Sequence, residues 1–343
     1  MKKVYQSASW LRHSRAQQRR AAHRAKLRKR RQKHRNRLRY ALRGAEPAQN
    51  RFDDHFVTII APEVFSFIEN PEALLACMSN MHQVARQRKS VFLDLANIKV
   101  LSCDAITLLL SNISNPKFML GHRCTGNVPN EPALAAVLKQ SGFYSHVRSA
   151  NRGASADQDT IFRRRGKKVE LKYVEKILTF ATTLVYGNKT KVGGVYRALI
   201  ECMANTRDHA SDVAKQHEAW WTSVYFDEER GVACFSFLDN GVGVFKSRKI
   251  MSLMDKLVRV FGAQPNTRIL REILEGKLAS STGLPYRGKG LPSIFRAMNR
   301  GQLARLTIIT NDVYAAVSQG NYRYLKPSFR GTFLYWELRK PSL

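Results

Sequence analysis

Between about Phe52 and Ser149, short apolar runs alternate with stretches in which apolar residues recur every three or four positions. The first pattern is typical of buried strands and the second of helices packed on one face. The predicted strands are Phe56–Ile60, Ser90–Leu95 and Phe118–Leu120, and the predicted helices are Pro71–Arg88 (with Asn70 as its cap), one that begins at Asp104, and Glu131–Gln140. This alternation predicts a small α/β domain at residues 52–149.

Residues 169–343 show a second pattern, in which helices come first and mostly strands follow. The predicted helices are Val169–Tyr186, Ala198–Ala210 and much of Phe245–Leu278, and the predicted strands are Ala219–Phe226, Gly231–Leu238, Arg305–Thr310, Tyr314–Ser318, Tyr322–Leu325 and Thr332–Leu338. Residues 150–168 are polar and end in five basic residues around Gly166, so they are predicted to be a linker. The expected fold class is therefore α/β and α+β, in two domains.

The helix predicted at Ala198–Ala210 has an unusual polar face. Glu201, Asn205, Asp208 and His209 stand at positions i, i+4, i+7 and i+8, which share one side of a helix. A carboxylate and a carboxamide one turn apart, beside an acid and an imidazole, can hold a hard cation and orient a water. The alternative is a half-exposed helix whose polar side faces solvent.

A first glycine stretch follows an apolar strand that ends at Asp239, with Gly241 and Gly243 just after it. This order fixes a carboxylate at the edge of a sheet. The backbone that follows can approach a flat ligand closely, because glycine tolerates positive φ and has no side chain.

A second glycine stretch, Gly288-Lys289-Gly290, runs into Leu291 and then Pro292, which suits the first turn of a helix. A glycine loop at a helix N-terminus presents N–H groups and the positive end of the helix dipole to a phosphate. Turns use glycine freely, so the signal lies in the order of the two stretches after the helix with the polar face.

In this order the motifs resemble the ATP-binding module of the GHKL superfamily, which DNA gyrase, heat-shock chaperone ATPases, sensor histidine kinases and mismatch-repair ATPases share. The resemblance covers about Val169 to Leu343, and it implies a GHKL-type (Bergerat) α/β sandwich. The matching elements are an N-box (Glu201-x-x-x-Asn205-x-x-Asp208-His209), a first glycine box (Asp239-x-Gly241-x-Gly243), a second (Gly288-x-Gly290-Leu291) and a closing Gly331-Thr332.

The resemblance also implies roles for these residues. Asp239 would accept a hydrogen bond from the adenine amino group with help from Thr332, and Asn205 would bind Mg²⁺ between the phosphates. Glu201 would be the base that activates a water or a hydroxyl, and His209 would orient this base or pack beside it. The segment between the glycine boxes would be an ATP lid. The remaining expected ATP contacts are Asp208, Gly241, Gly243, Gly288, Lys289, Gly290 and Leu291.

The first domain has a second resemblance. The stretch F-L-D-L-A-N-I-K-V-L-S-C-D-A-I-T-L-L-L, followed by G-N-V-P-N-E-P-A-L-A-A-V-L-K-Q-S-G-F, resembles the STAS domain of anti-sigma-factor antagonists. Aligning Asp94-Leu95 puts Asp104 at the position of that family's phosphoacceptor serine. A carboxylate there suits a helix N-terminus and resembles a weaker, permanent phosphate, so we expect no phosphorylation at this position. The alternative is that Asp104 is simply an N-cap.

Charge changes the picture at the N-terminus. The chain has a formal net charge of +32, no Asp or Glu precedes Glu46, and Lys and Arg crowd Arg12 to Arg43. Residues 1–44 are predicted to be a basic arm, either helical or disordered until it binds a polyanion. Nucleic acid is the expected polyanion, ahead of an acidic membrane surface, and a solubilising tail is the alternative. The expected contacts are Arg19, Arg20, Arg24, Arg28, Lys29, Arg30, Arg31 and Arg35.

Composition excludes several other classes. No apolar run is long enough to span a membrane, and no secretory signal follows the basic N-terminus. The five cysteines are scattered without metal-ligand spacing, which favours a reducing cytoplasm and argues against a zinc site.

Three functions remain open at this point. The leading interpretation is an ATP-binding, Mg²⁺-dependent regulatory ATPase that acts as a switch on a nucleic-acid-containing assembly. One alternative is an anti-sigma-type Ser/Thr protein kinase in a partner-switching system, in which Glu201 would deprotonate a partner's hydroxyl. The other is a nucleotide-sensing nucleic-acid-binding module without turnover. A protein partner is expected, and a homo-oligomer is compatible with the sequence.

Overall fold

Strands and helices alternate in the first half of the chain, as the apolar pattern predicts. The computed structural model describes residues 56–147, 161–165, 169, 171–209, 219–246, 265–277 and 290–340. The first elements are β1 (Phe56–Ile60), β2 (Val64–Phe65), α1 (Pro71–Arg86), β3 (Ser90–Asp94), β4 (Val100–Leu101), α2 (Cys103–Ile113), α3 (Pro116–Met119), β5 (Cys124–Gly126), α4 (Pro132–Gln140) and α5 (Phe143–His146). Strands β1, β3 and β5 form a parallel sheet with β3 in the centre, and β2 pairs with β4 in a second parallel sheet.

One local prediction in this half is wrong. In the segment predicted as a strand at Phe118–Leu120, Phe118 and Met119 belong to the helical turn α3, in which the Phe118 N–H donates to the Asn115 carbonyl at 2.9 Å, and Leu120 follows it. Three apolar residues are too few for periodicity to separate a strand from a helix. Asn70 is the N-cap residue of α1, as predicted, and its carbonyl accepts the Leu74 N–H at 3.2 Å, but its side chain makes no capping hydrogen bond and its amide donates to the Val64 carbonyl at 3.4 Å.

The second half of the chain builds an antiparallel sheet with helices. Its elements are β6 (Ile161–Arg165), α6 (Leu171–Tyr186), α7 (Gly193–His209), β7 (Ala219–Asp227), β8 (Val232–Asp239), α8 (Asn266–Leu274), α9 (Gly290–Asn299), β9 (Ala304–Ala316), a 3-10 turn (Val317–Gln319) and β10 (Asn321–Leu338). The strand order is β6-β7-β8-β10-β9, and every described pair of neighbours is antiparallel.

Pairing across the sheet changes two expectations for this half. Strand β6 lies within the segment predicted as a linker, and it pairs along one side of β7 from Ile161 to Arg165. This pairing satisfies backbone groups that β7 would otherwise leave at a sheet edge. The four short strands predicted after Arg305 are two long strands, β9 and β10, whose register shifts accommodate the residues that interrupt the apolar pattern.

The antiparallel sheet separates two apolar cores. Helices α6, α7, α8 and α9 cover one face, which we call the helix-covered face, and pack there around Trp220, Phe235 and Trp336. Helices α1 and α2 cover the other face, where Phe67 meets Phe333 with ring centroids 4.9 Å apart. Strand β8 is buried along its whole length because it is covered on both faces, so it reads as a continuous apolar run rather than an alternating one.

Polar contacts also join the first half of the chain to the sheet. The Arg323 guanidinium on β10 pairs with the Glu72 carboxylate on α1 and lies over the Tyr314 ring, 4.4 Å from its centroid. The Tyr314 hydroxyl donates to the Ile68 carbonyl at 3.1 Å. The described residues from Phe56 onward accordingly form one compact unit, with mixed parallel and antiparallel sheets, as expected for an α+β fold. Among the described residues, no helix is long and apolar enough to cross a membrane.

Candidate functional site

Asp239 is the last residue of β8, between two neighbouring strands. It is paired with Trp220 on β7 and with Thr332 on β10. Because side chains alternate along a strand, Asp239 projects to the helix-covered face, as Phe237 does. The carboxylate is buried, and one of its oxygens accepts the Gly241 N–H at 2.8 Å. This contact folds the first glycine stretch back over the end of the strand.

Helix α7 passes close to this carboxylate. Burial raises the pKa of the Cys202 thiol well above its ordinary value, and the negative charges of Asp239 and Glu201 raise it further. Glu201 itself is half-buried on α7, and Asn205 follows one turn later. Glu201 and Asn205 are both half-buried, so this part of the predicted polar face is not simply turned toward solvent.

Asn205 packs directly against the first residue of α9, Gly290. A Cβ atom at Gly290 would lie 2.9 Å from Asn205 Nδ2 and 3.0 Å from Asn205 Oδ1, so a side chain there would force the amide to move. The first N–H groups of a helix have no partner within the helix, and the residue that begins α9 lies beside the Asn205 carboxamide. Leu291, the next residue, is half-buried and packs against the core of the helix-covered face.

A clamp on β9 holds the first glycine stretch, and the sequence did not reveal it. Asn311 is buried with a left-handed φ of 51°, its Nδ2 donates to the Val242 carbonyl at 2.9 Å, and its Oδ1 accepts the Phe245 N–H at 3.1 Å. Gly243 has a φ of 79° and no room for a Cβ, because one would collide with the Asn311 amide. Asn is depleted in strands, so the Asn inside this apolar strand was the signal in the sequence that could have indicated the contact.

The neighbouring Thr310 completes this clamp. Its hydroxyl accepts the Val244 N–H at 3.0 Å and donates to the Gly331 carbonyl at 3.0 Å. Gly331 has a φ of 137°, and a Cβ there would collide with the backbone oxygen of Asp239. The first glycine stretch and the closing Gly-Thr element are thus tied together through one hydroxyl.

The residues expected from the resemblance fall into three groups. The structure brings Asp239, Gly241 and Thr332 together at the end of β8, sets Gly243 against β9, and places Asn205 against Gly290, with Glu201 on the same helix. The backbone of α7 extends to His209, but the side chains of Asp208 and His209 lie outside the described part of the structure. So do Gly288, Lys289, most of the lid segment and the whole basic arm.

Asp104 has a structural role that differs from a simple N-cap. Its carboxylate is buried and accepts the Phe67 N–H at 2.6 Å, in the turn that follows β2. Burial raises the pKa of Asp104, and hydrogen bonds from Ser102 and Phe67 only partly oppose this effect. The carboxylate therefore fixes the turn that carries Phe67 into the core against the antiparallel sheet.

The opposite end of β8 carries a different cluster. Glu337 is fully buried and accepts hydrogen bonds from Arg230 at 2.7 Å, Arg339 at 2.9 Å, Arg305 at 3.3 Å and the Tyr335 hydroxyl at 2.8 Å. Burial alone would raise the pKa of Glu337, but the hydrogen bonds from Arg230, Tyr335 and Arg339 outweigh it and the pKa is lowered. A cavity of about 450 Å³ opens beside this cluster, away from Asp239.

The chemistry of the Asp239 corner suits a particular type of ligand. A carboxylate and a hydroxyl side by side at the end of a sheet can receive a flat ring with hydrogen-bond donors. An amide oxygen beside a helix N-terminus suits a hard cation and an anionic group such as phosphate. Within the described residues, no group of three or more His, Cys, Asp or Glu side chains could hold a metal ion by itself.

Comparison of the chain with known protein families, with curated proteins and with solved structures finds no match. A functional assignment must therefore rest on the residues and geometry described above.

Proposed function

We propose that the chain is a nucleotide-driven switch that binds ATP with Mg²⁺ at the corner around Asp239 and acts on a nucleic-acid-containing assembly. The observation that carries the proposal is the convergence of four separated sequence motifs. Asp239 lies beside Thr332, and Asn205, on the helix that passes this carboxylate, lies against Gly290. An ATP site of the resembled type requires these motifs to lie close together. Turns and helix faces without a shared function would have no reason to do so.

Each residue has a role that follows from its chemistry. The Asp239 carboxylate would accept the adenine amino group, with the Thr332 hydroxyl as a second polar contact. The Asn205 side-chain oxygen would bind Mg²⁺, and the N-terminus of α9 at Gly290 would face the phosphates. Bound Mg²⁺ would supply charge neutralisation of the phosphates. Glu201, one turn before Asn205, would act as the general base.

Two further observations support a switch rather than a passive binding site. The glycine stretch that follows Asp239 also contacts the first half of the chain, since Asn240 Nδ2 donates to the Ser111 carbonyl on α2 at 3.3 Å. About half of the net charge of +32 lies before Glu46, and this basic arm suits a nucleic-acid partner. Occupancy of the corner around Asp239 could thus be communicated to a part of the molecule that does not touch nucleotide.

The test is binding and hydrolysis of Mg-ATP by the full chain, with and without a mixed pool of nucleic acid. Losing a hydrogen bond to a charged group costs about 1.5–3 kcal/mol, so Asp239→Asn and Asn205→Ala are each expected to raise the Kd for Mg-ATP about 10-fold or more. Asp239→Asn should also reduce the preference for ATP over GTP. Glu201→Ala should bind ATP normally and lose turnover.

Matched controls are Asn299→Ala and Glu228→Ala, which remove an amide and a carboxylate at exposed positions. Both should behave as the unaltered chain does. Absence of ATP binding by the unaltered chain would refute the proposal as a whole. Hydrolysis at the original rate by Glu201→Ala would refute only the assignment of the base, and tight binding without phosphate release would leave sensing as the function.

A further inference from the structure

Strand β1 leaves one side of its backbone open at the edge of the first sheet. Within the described part of the chain it pairs with β3 alone, in parallel register. The Ala61 N–H, directly after the strand, donates to the Asp94 carbonyl on β3 at 2.9 Å. Backbone groups point to alternate sides along a strand, so the N–H and C=O groups of Phe56, Thr58 and Ile60 point away from β3. These three residues can therefore accept another strand.

The same three residues direct their side chains to the outer face of the sheet. Val57 and Ile59 lie on the inner face and pack into the core that α1 covers, whereas Phe56 and Ile60 expose 37% and 70% of their surface. Phe92 on the neighbouring strand β3 is half-buried on the same outer face. Open backbone groups and exposed apolar side chains thus belong to the same residues of β1, which favours a partner that contacts both.

The composition of β1 offers none of the usual protection of an edge strand. Charged side chains, proline or bulges normally keep such strands from pairing with another chain. Strand β6, at one edge of the antiparallel sheet, fits this rule, since it contains three consecutive arginines at residues 163–165. Strand β1 has the sequence F-V-T-I-I, without a charged residue or proline, and its register with β3 is continuous. Its composition is therefore that of a strand that pairs further.

The spacing of the open residues fits an antiparallel pair of two β1 strands. A two-fold axis at Thr58 places this residue opposite its own copy and Phe56 opposite Ile60 of the other copy. Because all three residues have open backbone groups, each facing pair would exchange two N–H···O bonds. An axis at Val57 or Ile59 would leave Ile60 or Phe56 without a facing residue in β1. The strand is thus complementary to itself over its whole length.

We propose that the open edge of β1 is a self-association surface, at which two copies of the chain pair antiparallel and join their three-stranded sheets. Backbone hydrogen bonds would supply affinity, and the facing Phe56 and Ile60 side chains would supply the apolar contact. A five-residue strand buries less than the roughly 800 Å² per partner of a standard interface, so the dimer is expected to be weak and reversible. The proposal goes beyond the nucleotide site and does not depend on it.

Charge bears on the direction and the salt dependence of this pairing. Asp53 and Asp54 precede β1 in sequence, so a parallel pair would bring the carboxylates of both copies together. The antiparallel pair keeps those of one copy at the opposite end from those of the other. The net charge of +32 makes the two copies repel each other at low salt, so association should strengthen as salt screens this repulsion.

Sedimentation of the full chain, freed of nucleic acid, over a range of protein and salt concentrations measures the association. Ile60→Lys removes two facing isoleucine side chains per dimer, so the dimer Kd is expected to rise about 100-fold or more. The matched control is Val128→Lys, at a β-branched residue outside β1 that is 49% exposed, and it should keep the original Kd. Because Ile60 is exposed in a single copy, dilute Ile60→Lys should keep the original Tm, which separates lost pairing from misfolding.

Cysteine cross-linking tests the register. Thr58 is the residue of β1 that would face its own copy, at a Cα separation of about 5.5 Å, which a disulfide can span. Thr58→Cys should therefore form a disulfide-linked dimer under oxidising conditions, above the background of the unaltered chain. Thr125→Cys, at an exposed threonine on β5, is the matched control. About 24 Å, or five strand spacings, would separate it from its copy, so it should give only the background.

A single monomer mass at every protein concentration would overturn the proposal and leave the edge to the competing occupant, an extended segment of a different protein. Equal association of Ile60→Lys and the unaltered chain would assign the dimer to another surface and overturn it as well. Association that weakens as salt rises would point instead to bridging by residual nucleic acid. Every variant should bind ATP as the unaltered chain does, so failure here is separable from failure of the proposed nucleotide site.

Discussion

At the scale of single residues, the candidate site depends on side chains that organise the backbone rather than on ligand-facing groups alone. Asn311 provides three of the contacts that shape the first glycine stretch, through the Val242 carbonyl, the Phe245 N–H and the packing surface of Gly243. Its left-handed backbone is a conformation that Asn tolerates better than most residues do. We infer that Asn311 is a positioning residue for the loop beside Asp239.

The variant Asn311→Gly tests this role, because glycine keeps the left-handed backbone and removes only the amide. One buried and one partly buried backbone group lose their partner, at about 1–3 kcal/mol for a buried group, so both the Tm and the ATP affinity should fall. Thermal melting and ATP titration would measure this, with Asn321→Ala on the exposed end of β10 as the matched control. A lower Tm with unchanged ATP affinity would restrict Asn311 to a structural role.

Sequence patterns predicted the parts of the site that depend on local order. The positions expected for Asp239, Gly241 and Gly290 were a strand end, a turn and a helix start, and each of these features is encoded within about ten residues. The Asn311 clamp could not be found in this way, because its partners lie 66 and 69 positions away in sequence. Only the pairing of β8 and β9 with β10 brings them together.

At the scale of elements, helix and strand limits were predicted best where apolar periodicity was long, as in α1 and α6. The assignment of residues 150–168 to a linker missed β6, since an edge strand forms only when a neighbour offers unpaired backbone groups. The covered second face of the sheet was also missed, although the uninterrupted apolar run of β8 was the sign of it.

The end of β10 provides a prediction at this scale, because Glu337 ties β10 to β9 and to the turn between β7 and β8 through three arginines. The pKa of Glu337 is lowered from its ordinary value of 4.5, so its contribution to stability is present above that value and is lost as the pH falls through the lower, folded-state pKa. Removing one partner of a buried ion pair costs about 3–5 kcal/mol.

Glu337→Gln is therefore expected to lower the Tm strongly near neutral pH, and much less in acid, where the original carboxylate is itself protonated. Melting curves across the acidic range would measure the difference. Glu228→Gln, at an exposed turn position, is the matched control and should follow the unaltered chain at every pH. A constant difference in Tm between Glu337→Gln and the unaltered chain across that range would contradict the titration of Glu337.

At the scale of the whole molecule, the antiparallel sheet separates two apolar cores, and two consecutive residues at the end of β8 are directed to its opposite faces. Asp239 projects to the helix-covered face, whereas the next residue, Asn240, donates to the Ser111 carbonyl on α2. The proposed nucleotide site and the first half of the chain are thus joined by two consecutive residues. A shift of the loop on nucleotide binding would act on the C-terminal half of α2.

Hydrogen exchange can detect this coupling. Adding Mg-ATP to the unaltered chain is expected to slow amide exchange in the last turns of α2, although no nucleotide contact is proposed there. Asn240→Ala removes the link, so it should keep ATP affinity within about threefold, less than the cost of one neutral hydrogen bond, and lose the protection of α2. Asn97→Ala, an exposed amide on the first half of the chain, is the matched control and should keep both properties.

Equal protection of α2 in Asn240→Ala would route the coupling through other contacts of the sheet, such as the pairing of Arg323 with Glu72. Absence of any response of α2 in the unaltered chain, despite ATP binding, would mean that the sheet separates the two cores without transmitting the state of the site.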